Sequence, residues 1–384
     1  MTTPSIFTQA VHAGVHTDPA TGAVMTPIYQ TSTFAQSAPG EHQGWDYSRA
    51  GNPTRDALET SLAALENAQH GLAFSSGLAA IQAVIQTLEP NSHVLVCDDV
   101  YGGTGRLFRT LMAPMGFTFD FVDMTSIDGL ASQFKPNTRL VWIESPTNPL
   151  MKLIDIQALA TLTHKKGAKL AVDNTFASPV FQQPLALGAD VVMHSTTKYI
   201  GGHSDLVGGA LMINDDQWFE QLKYVQFALG AVTGPMESWL LLRSIKTLAI
   251  RMERHQENAL TLAQWLSTHD GIEAVYYPGL ETSPDHALAN QQMSGYSGMI
   301  SFRIKGDYSN VTAFLKALDM IVLAESLGGV ETLINHPEKM THASVPPELR
   351  EKLGITENLL RLSVGIENVE DIRKDLEKAL AAIQ

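Results

Sequence analysis

The sequence predicts an α/β protein: a mostly parallel sheet in a large domain, followed by a smaller C-terminal α+β domain. Three observations lead there. Short apolar runs recur through the middle of the chain (HVLVCDD, FTFDFVD, RLVWIES, KLAVDN, ADVVMHS and GGALMI), and most are continuously apolar, as strands buried on both faces are. Helix-length segments such as DIQALATLTHKKG separate them, the alternation that places parallel strands between helices. Beyond a long helical region at about 235–268 the texture changes. There IEAVYYPG, GMISFRIKG and LLRLSVGIE alternate with the helical stretches VTAFLKAL and EDIRKDLEKALAAI.

Taken in order, residues 1–55 read as an irregular arm, with PIYQTSTF and the polar stretch SAPGEHQG, that either wraps a partner subunit or crosses its own domain. Residues 56–245 form the expected large domain and 246–384 the small one. Leu58, Leu62 and Leu65 have amphipathic spacing, so RDALETSLAALENAQHG reads as a helix started by Asn52-Pro53-Thr54 and ended by Gly71. SSGLAA then joins a strand-like LAF to the helical LAAIQAVIQTL.

The formal charge of -14 argues against a nucleic-acid partner and against an anionic membrane surface. A single cysteine, Cys97, leaves no intrachain disulfide and no multi-cysteine metal site. His12 and His16 have helical spacing without an acidic partner, so no metal is expected. MTTPSIF lacks a basic segment leading into an apolar one, and no apolar run approaches the roughly 18 residues of a membrane span. The expectation is a cytoplasmic protein.

In such a sheet, ligands bind outside the carboxyl ends of the strands. The polar residues just beyond the predicted strands are Ser76-Gly77-Leu78 at a helix start, Tyr101 after HVLVCDDV, Asn148 in ESPTNP, Asp173 after KLAV, and Lys198 after ADVVMHSTT. Singly, each has a plain reading: a surface lysine, a packing tyrosine, a glycine-containing turn. Together they match pyridoxal phosphate (PLP). The helix start suits a phosphate, Lys198 suits imine formation with an aldehyde, and Asp173 suits a protonated ring nitrogen. Other enzyme classes fit worse: GGTGRLF lacks the last glycine of a dinucleotide fingerprint, SGYSGM is no nucleophile elbow, and no P-loop ending occurs.

ADVVMHSTTKYIGGHSD resembles the cofactor-lysine signature of the PLP-dependent trans-sulfuration (Cys/Met metabolism) enzymes. DYSRAGNPTR, SSGLAA, YGGT, ESPTNP, VDNTF, LAESLGGVETL and LRLSVGIE resemble that family's other blocks, in the family's order, from about residue 8 to 380. The resemblance implies an aspartate-aminotransferase-type (fold type I) fold and a homotetramer whose active sites are shared between subunits. It assigns Lys198 as the covalent cofactor partner and Asp173 to the pyridine nitrogen. Tyr101 would stack on the ring and assist proton transfer. The phosphate would be held by Ser195, Thr197 and the backbone at Gly77 and Leu78, with Tyr47 and Arg49 reaching it from a neighbouring subunit. Arg361, helped by Asn148 and the Ser326 backbone, would clamp the substrate α-carboxylate. Leu78 departs from the methionine common at its position, but a backbone N–H is the working group there.

Within the family, Glu325 and Asp46 match acidic positions of the γ-type cystathionine enzymes, and both are expected to contact substrate. Gly103 stands where methionine γ-lyases usually carry a cysteine. Ala50 stands where some γ-synthases carry an arginine. The resemblance therefore ranks cystathionine γ-lyase first, cystathionine γ-synthase second and cystathionine β-lyase third. Rivals of other kinds are an aminotransferase on the same fold and a non-catalytic binding protein.

Overall fold

Seven of the apolar runs assemble side by side. The computed structural model describes residues 4–343 and 345–383. Strands β1 (His70–Phe74), β2 (His93–Cys97), β3 (Thr118–Val122), β4 (Thr138–Glu144), β5 (Lys169–Asp173), β6 (Val191–His194) and β7 (Gly209–Ile213) form one sheet, in the order β1-β7-β6-β5-β4-β2-β3. Only β7 runs against the rest, pairing antiparallel with both β1 and β6. Alternate residues of a strand point to opposite faces, and here both faces are covered. Leu211 and Ile213 of β7 pack into one core with Ile81, Trp218 and Leu222. Ala210 and Met212 pack into another with Leu58, Leu62, Leu241 and Leu248. Two buried faces leave no polar side to the strand, which is why these runs are continuously apolar.

The second sheet comprises β8 (Ile272–Tyr276), β9 (Met299–Ile304), β10 (Val322–Leu323), β11 (Leu333–Asn335) and β12 (Leu359–Ser363), in the order β10-β11-β12-β9-β8. It is antiparallel except between β10 and β11. Phe302, Leu360 and Leu362 share its core with Leu262 and Leu266 of the Leu248–Ser267 helix and with Leu376 and Leu380 near the C-terminus. β10 and β11, at two and three residues, are too short to show a period in the sequence.

Two expectations are corrected. The helix expected from RDALETSLAALENAQHG spans Pro53–Leu65, capped by Asn52 onto the Thr54 amide, and stops well before Gly71; a shorter one, Ile6–His12, precedes it in the arm. His70 and Gly71 belong to β1 because they pair with Ile213 and Met212. The long helix is also two helices, Pro235–Ile245 and Leu248–Ser267, broken at Lys246–Thr247. Leu241, Leu242 and Ile245 pack under the large sheet, while Leu262 and Leu266 pack on the small one. Leu248 and Met252 also pack under the large sheet, so the second helix itself passes from one core to the other. No helix among the described residues is long and apolar enough to cross a membrane.

Candidate active site

The carboxyl ends of β1, β2, β4, β5 and β6 open onto one cavity of about 470 Å³, closed on its far side by residues from the second sheet. Beyond β1 the chain enters the Gly77–Gln86 helix, where the Ser76 side chain caps the Ala79 amide at 3.1 Å. The Gly77 and Leu78 amides have no protein acceptor among the described residues. They stand at the positive end of the helix and line the cavity. A Cβ on Gly77 would lie 2.8 Å from Met193 Cε and 3.2 Å from Ser195 Cβ, so the absence of a side chain lets the helix start sit on the end of β6. The result is a nest of amides beside the Ser195 hydroxyl. Thr197 is pinned more tightly: its hydroxyl donates to the Gly208 carbonyl (3.2 Å) and accepts from the Gly208 amide (3.0 Å).

Asp173 ends β5, with one oxygen accepting from the Thr175 amide at 3.0 Å. Burial raises its pKa above the usual carboxylate range. Lys198 Nζ donates to the Ser326 hydroxyl at 2.7 Å and reaches no carboxylate at ion-pair distance. Burial, helped by the Arg361 guanidinium, lowers its pKa to about 8, against the opposing charges of Glu325 and Asp173. A buried amine with so low a pKa suits nucleophilic and proton-transfer chemistry near neutrality. The chain leaves this lysine through Gly201-Gly202. Gly202 has φ +68°, and a Cβ there would collide with the Arg251 guanidinium.

Arg361 stands in the middle of β12, 2 % exposed, between Ser301 and Asn335 on the flanking strands. Nη1 donates to Asn148 Oδ1 (2.8 Å) and Nη2 to the Ser326 carbonyl (3.0 Å), while Nε finds no partner. Burial lowers its pKa to about 10, so it stays charged. A buried guanidinium with no paired carboxylate and a spare donor is a receptor for one. Ser326 holds φ +82°, a conformation that favours glycine, which directs its carbonyl to Arg361 while its hydroxyl meets Lys198. Glu325 lines the same side, with its carboxylate 3.4 Å from Asn335 Nδ2. The Tyr101 ring packs on the Cα of Gly103, filling the space that a side chain at 103 would need. Burial raises the phenol pKa, so it keeps its proton.

Of the residues singled out in the sequence, Gly77, Leu78, Tyr101, Asn148, Asp173, Ser195, Thr197, Lys198, Glu325, Ser326 and Arg361 all line this cavity. Asp46, Tyr47 and Arg49 do not. Arg49 instead donates to the Phe227 carbonyl (2.9 Å) and lies over the Phe227 ring, with Tyr47 exposed beside it. Glu144 and Arg106 also line the cavity and were not anticipated. Glu144 closes β4 inside the quoted ESPTNP block, so the strand-end rule could have flagged it. Arg106 ends the short Gly102–Arg106 helix, just before the π-helical turn Leu107–Met112, and no local pattern marks it. No group of three or more His, Cys, Asp or Glu among the described residues could hold a metal ion.

Comparison with known proteins matches residues 7–381 to the family of Cys/Met metabolism PLP-dependent enzymes. The chain belongs to that family. It is 51% identical to cystathionine beta-lyase of Coxiella burnetii, covering 98% of this chain and 97% of that one. It is 50% identical to cystathionine gamma-lyase of Dictyostelium discoideum, covering 99% of each. The crystal structure of cystathionine gamma-lyase from Lactobacillus plantarum complexed with L-serine superposes with a TM-score of 0.96 at 42% identity, covering 99% of this chain and all of that one. The aspartate-aminotransferase-type fold expected from the sequence is the fold of this chain.

Pyridoxal phosphate is the cofactor of this family, and the residues present fit it. Unclaimed amides and a free hydroxyl suit a phosphate, a low-pKa amine suits an aldehyde, and a buried carboxylate without a cation suits a ring N–H⁺.

Proposed function

We propose that this PLP enzyme is a cystathionine γ-lyase, converting cystathionine and water to cysteine, 2-oxobutyrate and ammonia. Identity does not choose among the family's reactions, since relatives named for β- and γ-elimination stand one percentage point apart. The observation that carries the reading is Glu325, which lines the cavity close enough for its charge to act on Lys198 and Arg361. A carboxylate there can bind the distal ammonium of a substrate that is an amino acid at both ends. Arg106, lining the same cavity, offers a cation to the distal carboxylate.

When bound, PLP supplies the aldehyde that captures the substrate amine and the ring that takes up electrons from Cα. The chain's residues do the rest. The Gly77 and Leu78 amides and the Ser195 hydroxyl would hold the phosphate, Thr197 could join them only by turning its hydroxyl from the Gly208 carbonyl, and Asp173 would hold the ring N–H⁺. Arg361 clamps the α-carboxylate, with Asn148 and Ser326 fixing its fork. Lys198 Nζ, steered by the Ser326 hydroxyl, would take the proton from Cα and must give it up to the cofactor before, as a free amine again, it can take the one from Cβ that γ-elimination requires. The Tyr101 phenol, protonated at neutral pH, stacks on the ring and can protonate the leaving sulfur.

The deciding experiment incubates the enzyme with L-cystathionine and identifies the keto acid. 2-Oxobutyrate with cysteine is expected; pyruvate with homocysteine would make it a β-lyase. Faster condensation of an acylated homoserine with cysteine would make it a γ-synthase. A protein that takes up no PLP would have no catalytic role.

The same reading makes the protein a cytoplasmic homotetramer, with domain divisions at residues 55 and 245. Asp46, Tyr47 and Arg49 would complete a neighbour's cavity, because the arm carries them away from their own. Lys198→Ala and Arg49→Ala proteins, each impaired alone, should regain activity when mixed and reassembled. Absence of complementation would place Arg49 outside any active site.

A further inference from the structure

Glu144 has no cation at ion-pair distance among the described residues. It is 5 % exposed at the end of β4, lines the cavity, and sits in strand register with Asp173 of β5. The groups facing it are Asp173, Asp99, Cys97 Sγ, which accepts the Glu144 amide at 3.4 Å, and Tyr101. One contact is unusual. Glu144 Oε1 accepts the backbone N–H of Tyr101 at 2.9 Å, from a residue 43 positions earlier in the chain.

That bond is the tie between Tyr101 and the sheet. The Tyr101 carbonyl accepts from the Gly105 amide in the next turn (3.0 Å), its side chain makes no protein hydrogen bond, and its ring leans on Gly103 within the same short helix. Val100 before it and Phe108 after it are anchored in the core, and Gly102 lies against the Thr341 backbone, so the bond from Glu144 fixes the amide of Tyr101 itself within a packed turn.

We propose that Glu144 is a positioning residue of the active site: through the Tyr101 amide it sets the stacking ring relative to Asp173, its neighbour across β4 and β5. Adjacent strands lie about 4.8 Å apart, so the partner of the cofactor ring's edge and the partner of its face are referred to one rigid ruler. Burial, reinforced by the charge of Asp173, raises the Glu144 pKa well above the carboxylate range. Glutamine keeps the acceptor oxygen without the charge. The Tyr101 amide needs only that acceptor.

The inference rests on PLP occupying this cavity with Tyr101 on its face, which is tested separately by the visible absorption of the wild-type holoenzyme and by the change of its visible dichroism in Tyr101→Ala. In Glu144→Ala the visible dichroism per bound cofactor should fall at least about twofold. With L-cystathionine, kcat should fall about tenfold and KM change less than about twofold, the loss of one buried hydrogen bond acting on orientation. Glu144→Gln should stay within about twofold of wild type in all three. In a Tyr101→Ala background, Glu144→Ala should add less than about a twofold change, because the two act as a unit. Wild-type behaviour of Glu144→Ala, a loss in Glu144→Gln as large as in Glu144→Ala, or full additivity with Tyr101→Ala would each overturn the proposal. If Glu144→Ala does not fold, Glu144→Leu keeps the volume without the acceptor and carries the same expectations.

Discussion

The two ends of the cavity are built differently. Gly77, Asp173, Ser195 and Lys198 all sit just beyond the carboxyl ends of strands in one sheet. Arg361 sits in the middle of a strand of the other sheet, with Ser326 brought to it by a loop. The first end needs only the sheet, since parallel strands deliver their final residues to one crevice. The second needs a large cation desolvated inside a strand and stabilised by Asn148, which the first sheet supplies. On the proposed reading, cofactor recognition and substrate recognition are divided between the two sheets, and Lys198, bonded to Ser326, stands at the seam.

Replacing the seam residue should have the largest effect. Lys198→Ala is expected to lower kcat by at least about 10⁴-fold, as losing a residue that serves as both nucleophile and base does. Wild-type turnover in that variant would sink the mechanism. Next comes the substrate end. Arg361→Leu should raise KM for cystathionine by roughly 10²-fold, through loss of a desolvated charge-assisted contact, with PLP affinity nearly unchanged. The cofactor end should give the converse: Ser195→Ala should weaken PLP binding by about tenfold, yet leave KM unaltered once cofactor saturates. If Arg361→Leu lost cofactor, or Ser195→Ala raised KM at saturating PLP, the division between the sheets would break.

The smallest effect tests the link across the seam. Lys198 must be a free amine to capture an aldehyde. Covalent uptake of PLP by the apoprotein, trapped by borohydride, should therefore rise with pH and level off above about 8. Arg361 helps hold that pKa down, so in Arg361→Leu the midpoint should move upward, by less than about one pH unit. An unmoved midpoint would mean that burial alone sets the amine.

Much of the cofactor end was legible beforehand, because it depends on local features. Apolar runs of strand length mark where strands stop, and Asp173, Lys198 and Tyr101 stand just after such stops. At the substrate end Asn148 was marked by its place after a strand, whereas Arg361, Ser326 and Glu325 were named by resemblance rather than by pattern. Glu144 and Arg106 escaped because one closes a strand silently and the other ends a short irregular helix. The break at Lys246–Thr247 escaped because apolar periodicity does not report which core each turn faces.

By itself the sequence determined the alternation of strands and helices, the strand-end residues and, through them, the cofactor chemistry, since these follow from residue type and near-neighbour spacing. Only the tertiary structure decided that Arg361 meets an amide 213 positions away, and that Glu144 lies beside Asp173 with Tyr101 on its carboxyl. It also decided that Tyr47 and Arg49 turn from their own cavity. Those are contacts between segments remote in the chain. Their geometry comes from the packing of two sheets around one cavity, and no local period encodes it.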